Sequence, residues 1–157
     1  MAPDIEEQYD HIYRYCYFKL HHAQTAEDIT QETFLRYWER YHPMPDGLAV
    51  RYLYTIAKNL CTDEYRRQTS IPLDEVISEP SNETNLSEQL CVRAALSRLS
   101  IQEQELLLLR YVNEVPIGTI AKLLGISRFA VYRKLKSAST RFETALKQEG
   151  FYDTSET

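Results

Sequence analysis

Cysteine is scarce in this chain, and the few cysteines that it has are widely separated. They are Cys16, Cys61 and Cys91, and no two of them form a CxxC pair. Neither a zinc site nor a disulfide framework is therefore indicated. His21 and His22 are adjacent, and adjacent positions on a helix point in different directions, so they do not predict a metal site either. We expect a protein without a metal ion or an organic cofactor.

Long apolar stretches are also missing. No run of the roughly 18 apolar residues that a transmembrane helix needs occurs in the sequence. Residues 1–9 are acidic and lack the apolar core of a signal peptide. Hydrophobic residues make up 43% of the chain, which is typical of a globular protein. The sequence therefore predicts a cytoplasmic protein that does not insert into a membrane.

Residues that break helices are few, since the 157 residues include only 4 glycines and 6 prolines. Apolar residues recur with helical periodicity and no region alternates as a strand does, which predicts an all-α fold. Composition divides the chain into two small helical domains, 1–67 and 87–149, joined by a flexible linker, 68–86, and followed by a polar tail, 150–157. The predicted helices cover residues 5–20, 25–41, 48–67, 87–98, 100–113, 116–124 and 127–148.

Several helix starts are predicted from capping motifs. Thr25–Asp28 resembles a capping box, and Ser100–Glu103 is a complete one. Ser87 and Ser127 are predicted N-caps. Gly125 is expected to take a positive φ and to turn the chain between the last two helices.

Charge is distributed unevenly along the chain. The net charge of −5 argues by itself against a nucleic-acid-binding protein. However, residues 116–149 hold seven basic and two acidic residues, and residues 51–69 hold four and two. Residues 1–50 and 70–115 each have a net charge of −5. Two basic islands in an acidic chain indicate two local contacts with phosphate groups.

Residues 117–136 carry the most informative pattern. Apolar residues occupy the positions at which two short helices would pack on each other, on either side of the Gly125 turn: Ile120, Ala121, Leu124, Ile126, Val131 and Leu135. This spacing is typical of a helix-turn-helix, whose second helix enters the major groove. The outward positions of that helix are Arg128, Phe129, Tyr132, Arg133 and Lys136. The alternative is a solvated basic face on a helical hairpin, and the spacing favours DNA binding.

Two helices of the first domain have polar faces of unusual composition. On helix 25–41 an acidic stripe includes a leucine, which solvation alone does not explain: Asp28, Gln31, Glu32, Leu35 and Glu39. Helix 48–67 places Leu53, Ile56, Ala57 and Leu60 inward, and Tyr52, Lys58, Asn59 and Arg66 on or beside its other side. An aromatic ring beside amide and basic groups can bind unpaired bases. Spacing alone still favours an amphipathic core helix with polar residues outside.

Three motifs resemble one known family. Residues 26–38 (AEDITQETFLRYW) look like the polymerase-binding helix of sigma factor region 2. Residues 52–60 (YLYTIAKNL), followed by DEYRR at 63–67, look like the helix that melts promoters and reads the -10 element. Residues 99–111 with the helix-turn-helix look like region 4. The order of the motifs and the single linker make the chain similar to the extracytoplasmic-function (ECF) RNA polymerase sigma factors, which are bacterial transcription initiation factors.

The resemblance implies a role for each set of residues. Binding to core RNA polymerase is implied for Asp28, Gln31, Glu32 and Leu35. Binding to the -10 element is implied for the loop 43–51 and the helix 52–67, and we expect the contacts from Tyr52, Lys58, Asn59 and Arg66. Binding to the -35 element is implied for Arg128, Phe129, Tyr132, Arg133 and Lys136. An anti-sigma factor, often membrane-anchored, is a further implied partner besides polymerase and promoter DNA.

The sequence departs from the family pattern at two of these positions. Tyr52 stands where many relatives have tryptophan, and Phe129 stands where a small residue is usual. The preference for -35 sequences is therefore expected to be atypical.

Two other classes of function compete with this interpretation. A helix-turn-helix regulator that acts without replacing a sigma factor would share the second domain, but it would carry a receiver or ligand pocket. Residues 1–67 show no βα alternation for one. An enzyme is disfavoured because no nucleophile–base spacing, glycine-rich phosphate loop or metal cluster occurs.

Overall fold

The structure is a computed structural model that describes residues 5–69 and 86–150. The chain divides into two compact units, Met1–Glu79 and Pro80–Thr157. The described residues of both units form helices and no strand, so the predicted all-α fold is confirmed. Most of the predicted linker and the tail from residue 151 lie outside the described residues. Within the described part of the chain, no helix is long and apolar enough to cross a bilayer, and no group of three or more His, Cys, Asp or Glu side chains could hold a metal ion.

The first unit is a bundle of three helices, each of which packs against the other two. They are α1 (Ile5–Leu20), α2 (Ala23–Arg40) and α3 (Asp46–Thr69). Among the residues that close the core are Ile12, Tyr15, Cys16, Ala26, Ile29, Phe34, Tyr37, Leu53, Tyr54, Ala57 and Cys61. Every helix of the bundle thus contributes one apolar face to a common core, which leaves the opposite faces of α2 and α3 available to partners.

Two buried threonines of α2 join this core although their side chains are polar. Thr30 and Thr33 are fully buried, and their hydroxyls donate hydrogen bonds to the carbonyl oxygens of Ala26 (2.6 Å) and Ile29 (2.7 Å), one turn earlier. These bonds satisfy the hydroxyls inside the helix, so the burial leaves no polar group unpaired.

The start of α2 differs from the prediction. The helix begins at Ala23, and its N-cap is His22, whose Nδ1 accepts a hydrogen bond from the backbone amide of Thr25 at 3.2 Å. The predicted cap at Thr25 is therefore wrong. An imidazole nitrogen can accept from a free amide of the first turn as a hydroxyl does, and this lets the helix start two residues earlier.

Two further starts were predicted too late. The helix α3 begins at Asp46 rather than Leu48, and α4 (Leu86–Ser97) begins one residue before Ser87, which is not its N-cap. Helix ends are set by local hydrogen bonds that periodicity does not resolve to better than about two residues.

The second unit is built around one long helix. The helices of this unit are α4, α5 (Ile101–Leu107), α6 (Ile117–Leu124) and α7 (Arg128–Gln148). The long helix is α7, and it contacts each of the other three. A π-helical turn, Leu108–Val112, extends α5 through the region predicted as one helix. Ala95, Ala145 and Leu146 pack together at one place along α7, and Leu99, Leu107 and Ala138 pack together at another. The small residues on α7 let α4 and α5 approach it closely.

The predicted capping box at the start of α5 is confirmed. The Ser100 hydroxyl accepts from the amide of Glu103 at 3.1 Å, and the Glu103 carboxylate accepts from the amide of Ser100 at 2.9 Å. Arg141 of α7 also reaches this carboxylate at 3.3 Å. The backbone hydrogen bond from Ser100, assisted by Arg141, lowers the pKa of Glu103 below its ordinary value of 4.5.

This box predicts a pH-dependent contribution to stability. Ser100→Ala should lower the free energy of unfolding at pH 7 by about 1 kcal/mol, because one amide of the first turn loses its acceptor.

The Glu103 carboxylate gives a separate, pH-dependent contribution. Since folding lowers the pKa of Glu103, its contribution to stability is present above about pH 4.5 and is lost as the pH falls through the lowered value. Urea unfolding of the full chain should therefore show a difference between wild type and Glu103→Gln that shrinks on acidification. Glu143→Gln, at an exposed ion pair with Lys147, is the control and should change little.

Candidate functional sites

The two helices of the predicted helix-turn-helix meet at a tight turn. α6 ends at Leu124 and its C-cap is Gly125, which has a φ of +68°, as predicted. The amide of Ile126 donates to the carbonyl oxygen of Ala121 at 3.0 Å, which closes the turn. The Ser127 hydroxyl then accepts from the amide of Ala130 at 3.0 Å and caps α7, which confirms this predicted cap. A side chain at Gly125 would be strained by the left-handed backbone, so the turn favours glycine.

Four of the six residues predicted to lie inside the helix-turn-helix are buried. Ile120 and Val131 are fully buried, and Ala121 and Leu135 are buried. The other two predicted inner residues, Leu124 and Ile126, are only half-buried because they border the turn. The apolar contact between α6 and α7 fixes the rotation of α7 about its axis, and it thereby decides which side chains point outward.

All five residues predicted to read the -35 element are exposed on the first three turns of α7: Arg128, Phe129, Tyr132, Arg133 and Lys136. They extend along about 12 Å of the helix, at 1.5 Å per residue. The Phe129 and Tyr132 side chains are 76% and 62% exposed, which is unusual for aromatic residues of a small domain. Three cations beside two uncovered rings form a surface that suits phosphates, guanine edges and thymine methyl groups.

Gly118 of α6 is a site residue that sequence reasoning missed. A Cβ atom at this position would lie 2.9 Å from Nη2 of Arg128, so the absence of a side chain lets the guanidinium rest on α6. A glycine inside a short apolar helix costs about 0.5–1 kcal/mol relative to alanine. That cost was a signal in the sequence that another group comes close to this backbone.

The face of α2 predicted to bind polymerase is a polar surface with an apolar centre. Leu35 is 56% exposed. Asp28 and Gln31 are exposed and Glu32 is half-buried. Each has one hydrogen-bond partner on its own helix, Gln24 for Asp28 (3.0 Å), Glu27 for Gln31 (3.2 Å) and Arg36 for Glu32 (2.9 Å). These exposed pairs contribute little to stability, so a partner can exchange them for its own contacts.

Trp38 enlarges this face beyond the predicted set. Its side chain is 43% exposed, although a tryptophan of an amphipathic helix is more often buried. It lies three residues after Leu35, so the two apolar side chains are neighbours on the helix surface. The i, i+3 spacing from Leu35 was the available signal.

The glutamate at the edge of this face is held by α1. The Tyr9 hydroxyl donates a 2.6 Å hydrogen bond to Glu27 Oε1, and Glu27 also accepts from Gln31. Burial and the adjacent carboxylate raise the pKa of Tyr9 to about 12. The tyrosine therefore stays protonated and keeps α1 joined to α2 beside the predicted polymerase-binding residues.

The residues predicted to read the -10 element all lie on α3. Tyr52, Asn59 and Arg66 recur every seven residues and so form one stripe about 21 Å long. Asn59, Arg66 and the adjacent Lys58 are exposed. Tyr52 differs from the expectation of an uncovered ring, because it is half-buried and stacks on Tyr41 at 4.6 Å between ring centroids.

The loop expected at 43–51 is shorter than predicted. Only residues 41–45 lie between α2 and α3, and residues 46–51 belong to α3. The two prolines, at 43 and 45, lie in the loop just before α3, where proline is tolerated. The glycine at 47 does not prevent the helix from starting at Asp46. Contacts assigned to residues 46–51 would therefore come from a helix.

The fold and these surfaces describe a helical DNA-binding protein with a helix-turn-helix in its second unit and a three-helix bundle in its first. Family models match both units: sigma-70 region 2 over residues 5–71 and sigma-70 region 4 over residues 89–141. The sigma factor YlaC of Bacillus subtilis is 30% identical over 146 residues, which cover 84% of this chain and 83% of YlaC. The chain thus belongs to the sigma-70 family, in its extracytoplasmic-function group.

Other relatives carry this group name and are longer. The ECF sigma factor BldN of Streptomyces coelicolor is 33% identical over 143 residues, and SigG of Mycobacterium tuberculosis is 28% identical over 163 residues. The chain spans 53% of BldN and 44% of SigG. The sigma factor RpoE of Bartonella quintana, solved in complex with the anti-sigma factor NepR, shares the fold with a TM-score of 0.67 at 19% identity, over 89% of this chain and 92% of RpoE.

Proposed function

We propose that this protein binds core RNA polymerase and directs it to promoters that it recognises through their -10 and -35 elements. The observation that carries the proposal is the pairing of two different exposed surfaces in one sigma-type chain. The first unit has an acidic face with an uncovered leucine and tryptophan, and the second has a basic, aromatic recognition helix. An acidic surface repels phosphate and an exposed apolar patch favours a protein partner, so the first of these surfaces suits a protein rather than DNA.

The roles proposed for individual residues rest on the family resemblance, and the exposure of most of these side chains supports them. We assign polymerase binding to Asp28, Gln31, Glu32 and Leu35, with Trp38 added. Tyr52, Lys58, Asn59 and Arg66 would contact the unpaired -10 strand, since the stripe and the adjacent Lys58 together offer a ring, an amide and two cations to a single strand. Arg128, Phe129, Tyr132, Arg133 and Lys136 would enter the major groove of the -35 element.

An anti-sigma factor is the third proposed partner. RpoE of Bartonella quintana is bound by such a protein, and an inhibitor that covered Leu35 and Trp38 here would compete directly with polymerase. The place of action would be the bacterial cytoplasm, where core polymerase and promoters are found.

The competing function is a helix-turn-helix regulator that works without replacing a sigma factor. It would require a receiver or ligand pocket in the first unit, whereas residues 5–71 match sigma-70 region 2 and the described part of that unit has only helices. Sigma factors have no catalytic activity of their own, so the proposed function does not make this protein an enzyme.

Pull-down with core polymerase followed by run-off transcription on genomic fragments tests the proposal. The chain should bind core, and the holoenzyme should start transcripts at defined sites at which core alone does not. The free chain should bind the same fragments weakly, because its acidic segments oppose the contact of the basic islands with phosphate. Tight, sequence-specific binding of the free chain to palindromic DNA, without any effect on core polymerase, would favour the regulator instead.

The position of Tyr52 predicts a role in opening the duplex. Tyr52→Ala should slow the formation of open complexes on duplex promoters, because a base that stacks on an aromatic ring gains about 1–3 kcal/mol. The defect should be smaller on a template whose promoter carries a pre-melted bubble, because that template does not have to be opened. Single-round transcription from both templates measures the two rates, and Tyr111→Ala, an exposed tyrosine of the second unit, is the control. Equal defects on both templates would contradict a role in melting.

A further inference from the structure

Two ring contacts connect the polymerase-binding face of α2 with the start of the -10 stripe on α3. The ring centroid of His42 lies 3.8 Å from that of Trp38. The ring of Tyr41 stacks on Tyr52 at 4.6 Å, with 27° between the planes. Tyr41 and His42 are consecutive residues, so one short piece of chain contacts both surfaces.

The backbone of this piece is anchored, whereas one of its ring contacts is open to a partner. The amides of Tyr41 and His42 both donate to the carbonyl oxygen of Tyr37, at 2.9 and 3.0 Å. Tyr37 is buried in the bundle, and its ring lies nearly perpendicular to that of His42 at 6.1 Å between centroids. Trp38 contacts both the Tyr37 ring, at 5.9 Å between centroids, and the His42 ring, and it keeps 43% of its surface exposed. The His42 ring therefore packs in one cluster with a buried tyrosine and with a tryptophan that a partner can cover.

We propose that His42 is a positioning residue that transmits polymerase docking to the surface that reads the -10 element. A partner that covers Leu35 and Trp38 restricts the Trp38 ring, and the His42 ring packs against the restricted indole. Tyr41 is then held against Tyr52, which fixes the position of that ring at the start of the -10 stripe. The inference rests on the proposed function, and it requires that the loop 41–45 has a DNA-binding arrangement that is favoured when Trp38 is covered.

The test measures two affinities of the same variants. Core polymerase is titrated with each full-length variant, and the resulting holoenzyme is titrated with a labelled single-stranded oligonucleotide that carries the non-template -10 sequence of a promoter that wild type transcribes. His42→Ala should lower the affinity of the holoenzyme for the oligonucleotide by about 5- to 20-fold and change its affinity for core by less than about twofold. His42→Ser, a second truncation at this exposed position, should do the same.

His42→Phe separates positioning from direct contact. It keeps an aromatic ring against Trp38 but has no ring nitrogen, so a positioning role predicts near wild-type binding of the oligonucleotide. If phenylalanine lost as much affinity as alanine, the imidazole would contact DNA itself and the proposal would be overturned. Unchanged binding in both truncations, or an equal loss of core affinity, would overturn it as well.

These outcomes are distinct from a failure of the proposed function. If the wild-type chain did not bind core or did not give promoter-specific transcripts, the function would be wrong whatever the variants do. If wild type succeeds and both truncations of His42 behave like it, only the positioning role is refuted.

Discussion

Leu35→Glu is expected to lower the affinity of the protein for core RNA polymerase by about 30-fold, since truncating a central hot-spot residue costs about 2 kcal/mol or more. Leu35 is 56% exposed at the centre of the proposed face, and an apolar side chain so placed gains its stabilisation only when a partner covers it. A carboxylate there would be desolvated without a counter-charge. Surface plasmon resonance or a fluorescence titration with core measures the loss.

A matched control exists in the second unit. Leu90 is 55% exposed, so Leu90→Glu introduces the same charge at a leucine of the same accessibility. We expect a much smaller effect from it, with equal helicity of both variants by circular dichroism. Equal losses would mean that added negative charge, rather than the face of α2, weakens the complex.

Charge reversal separates the polar contribution of the same face. Asp28→Lys and Glu32→Lys should also weaken binding to core, and more so at low salt, because exposed charges are screened as ionic strength rises. Glu32 first has to leave Arg36, which lies 2.9 Å away, so Asp28 is the cleaner position. Wild-type affinity in both variants would contradict the assignment of the acidic residues.

The second large effect is expected in promoter sequence preference. Arg133→Ala should weaken binding of the holoenzyme to its -35 element by about 1–3 kcal/mol, or about 5- to 150-fold, and should relax the preference at one base pair. Arg133 is exposed on the outward side of α7, next to the exposed Tyr132. Its guanidinium can therefore make a bidentate contact with a guanine. Selection from a library of -35 sequences shows which position becomes degenerate.

Arg128 and Arg141 serve as comparisons along the same helix. Arg141 lies about two helical turns after Arg133 and pairs with Glu103. Arg141→Ala should therefore leave the -35 sequence preference unchanged. Arg128 rests on Gly118, and Gly118→Ala should move its guanidinium while favouring the helix itself. If alanine at both Arg128 and Arg133 left the -35 profile as in wild type, the docking of α7 in the groove would be wrong.

Sequence patterns predicted the elements well where a local hydrogen bond or a strong periodicity defines them. The capping box at Ser100, the cap at Ser127 and the positive φ at Gly125 are all present, because each depends on residues at most three positions apart. The start of α2 was missed because histidine is an uncommon cap, and its ring nitrogen replaced the hydroxyl that was expected at Thr25.

The site residues show the same division. The outward face of α7 was predictable since the apolar positions of a helix-turn-helix leave only one side free. The exposure of Trp38 was not, because a tryptophan in an amphipathic helix is more often buried than uncovered. The rotation that places it beside Leu35 is decided by how α2 packs against α1 and α3.

The sequence alone determined the all-α class, the approximate positions of the helices and the outward side of α7, because these depend on spacing and on capping within single segments. Only the tertiary structure decided which distant residues touch: Arg128 on Gly118, Tyr41 on Tyr52 and His42 on Trp38. Such contacts are set by the approach and rotation of packed helices and by the path of a five-residue loop, residues 41–45, between two of them. No periodicity in one segment encodes the distance to another, so ring stacking and close backbone approach are properties of the folded packing.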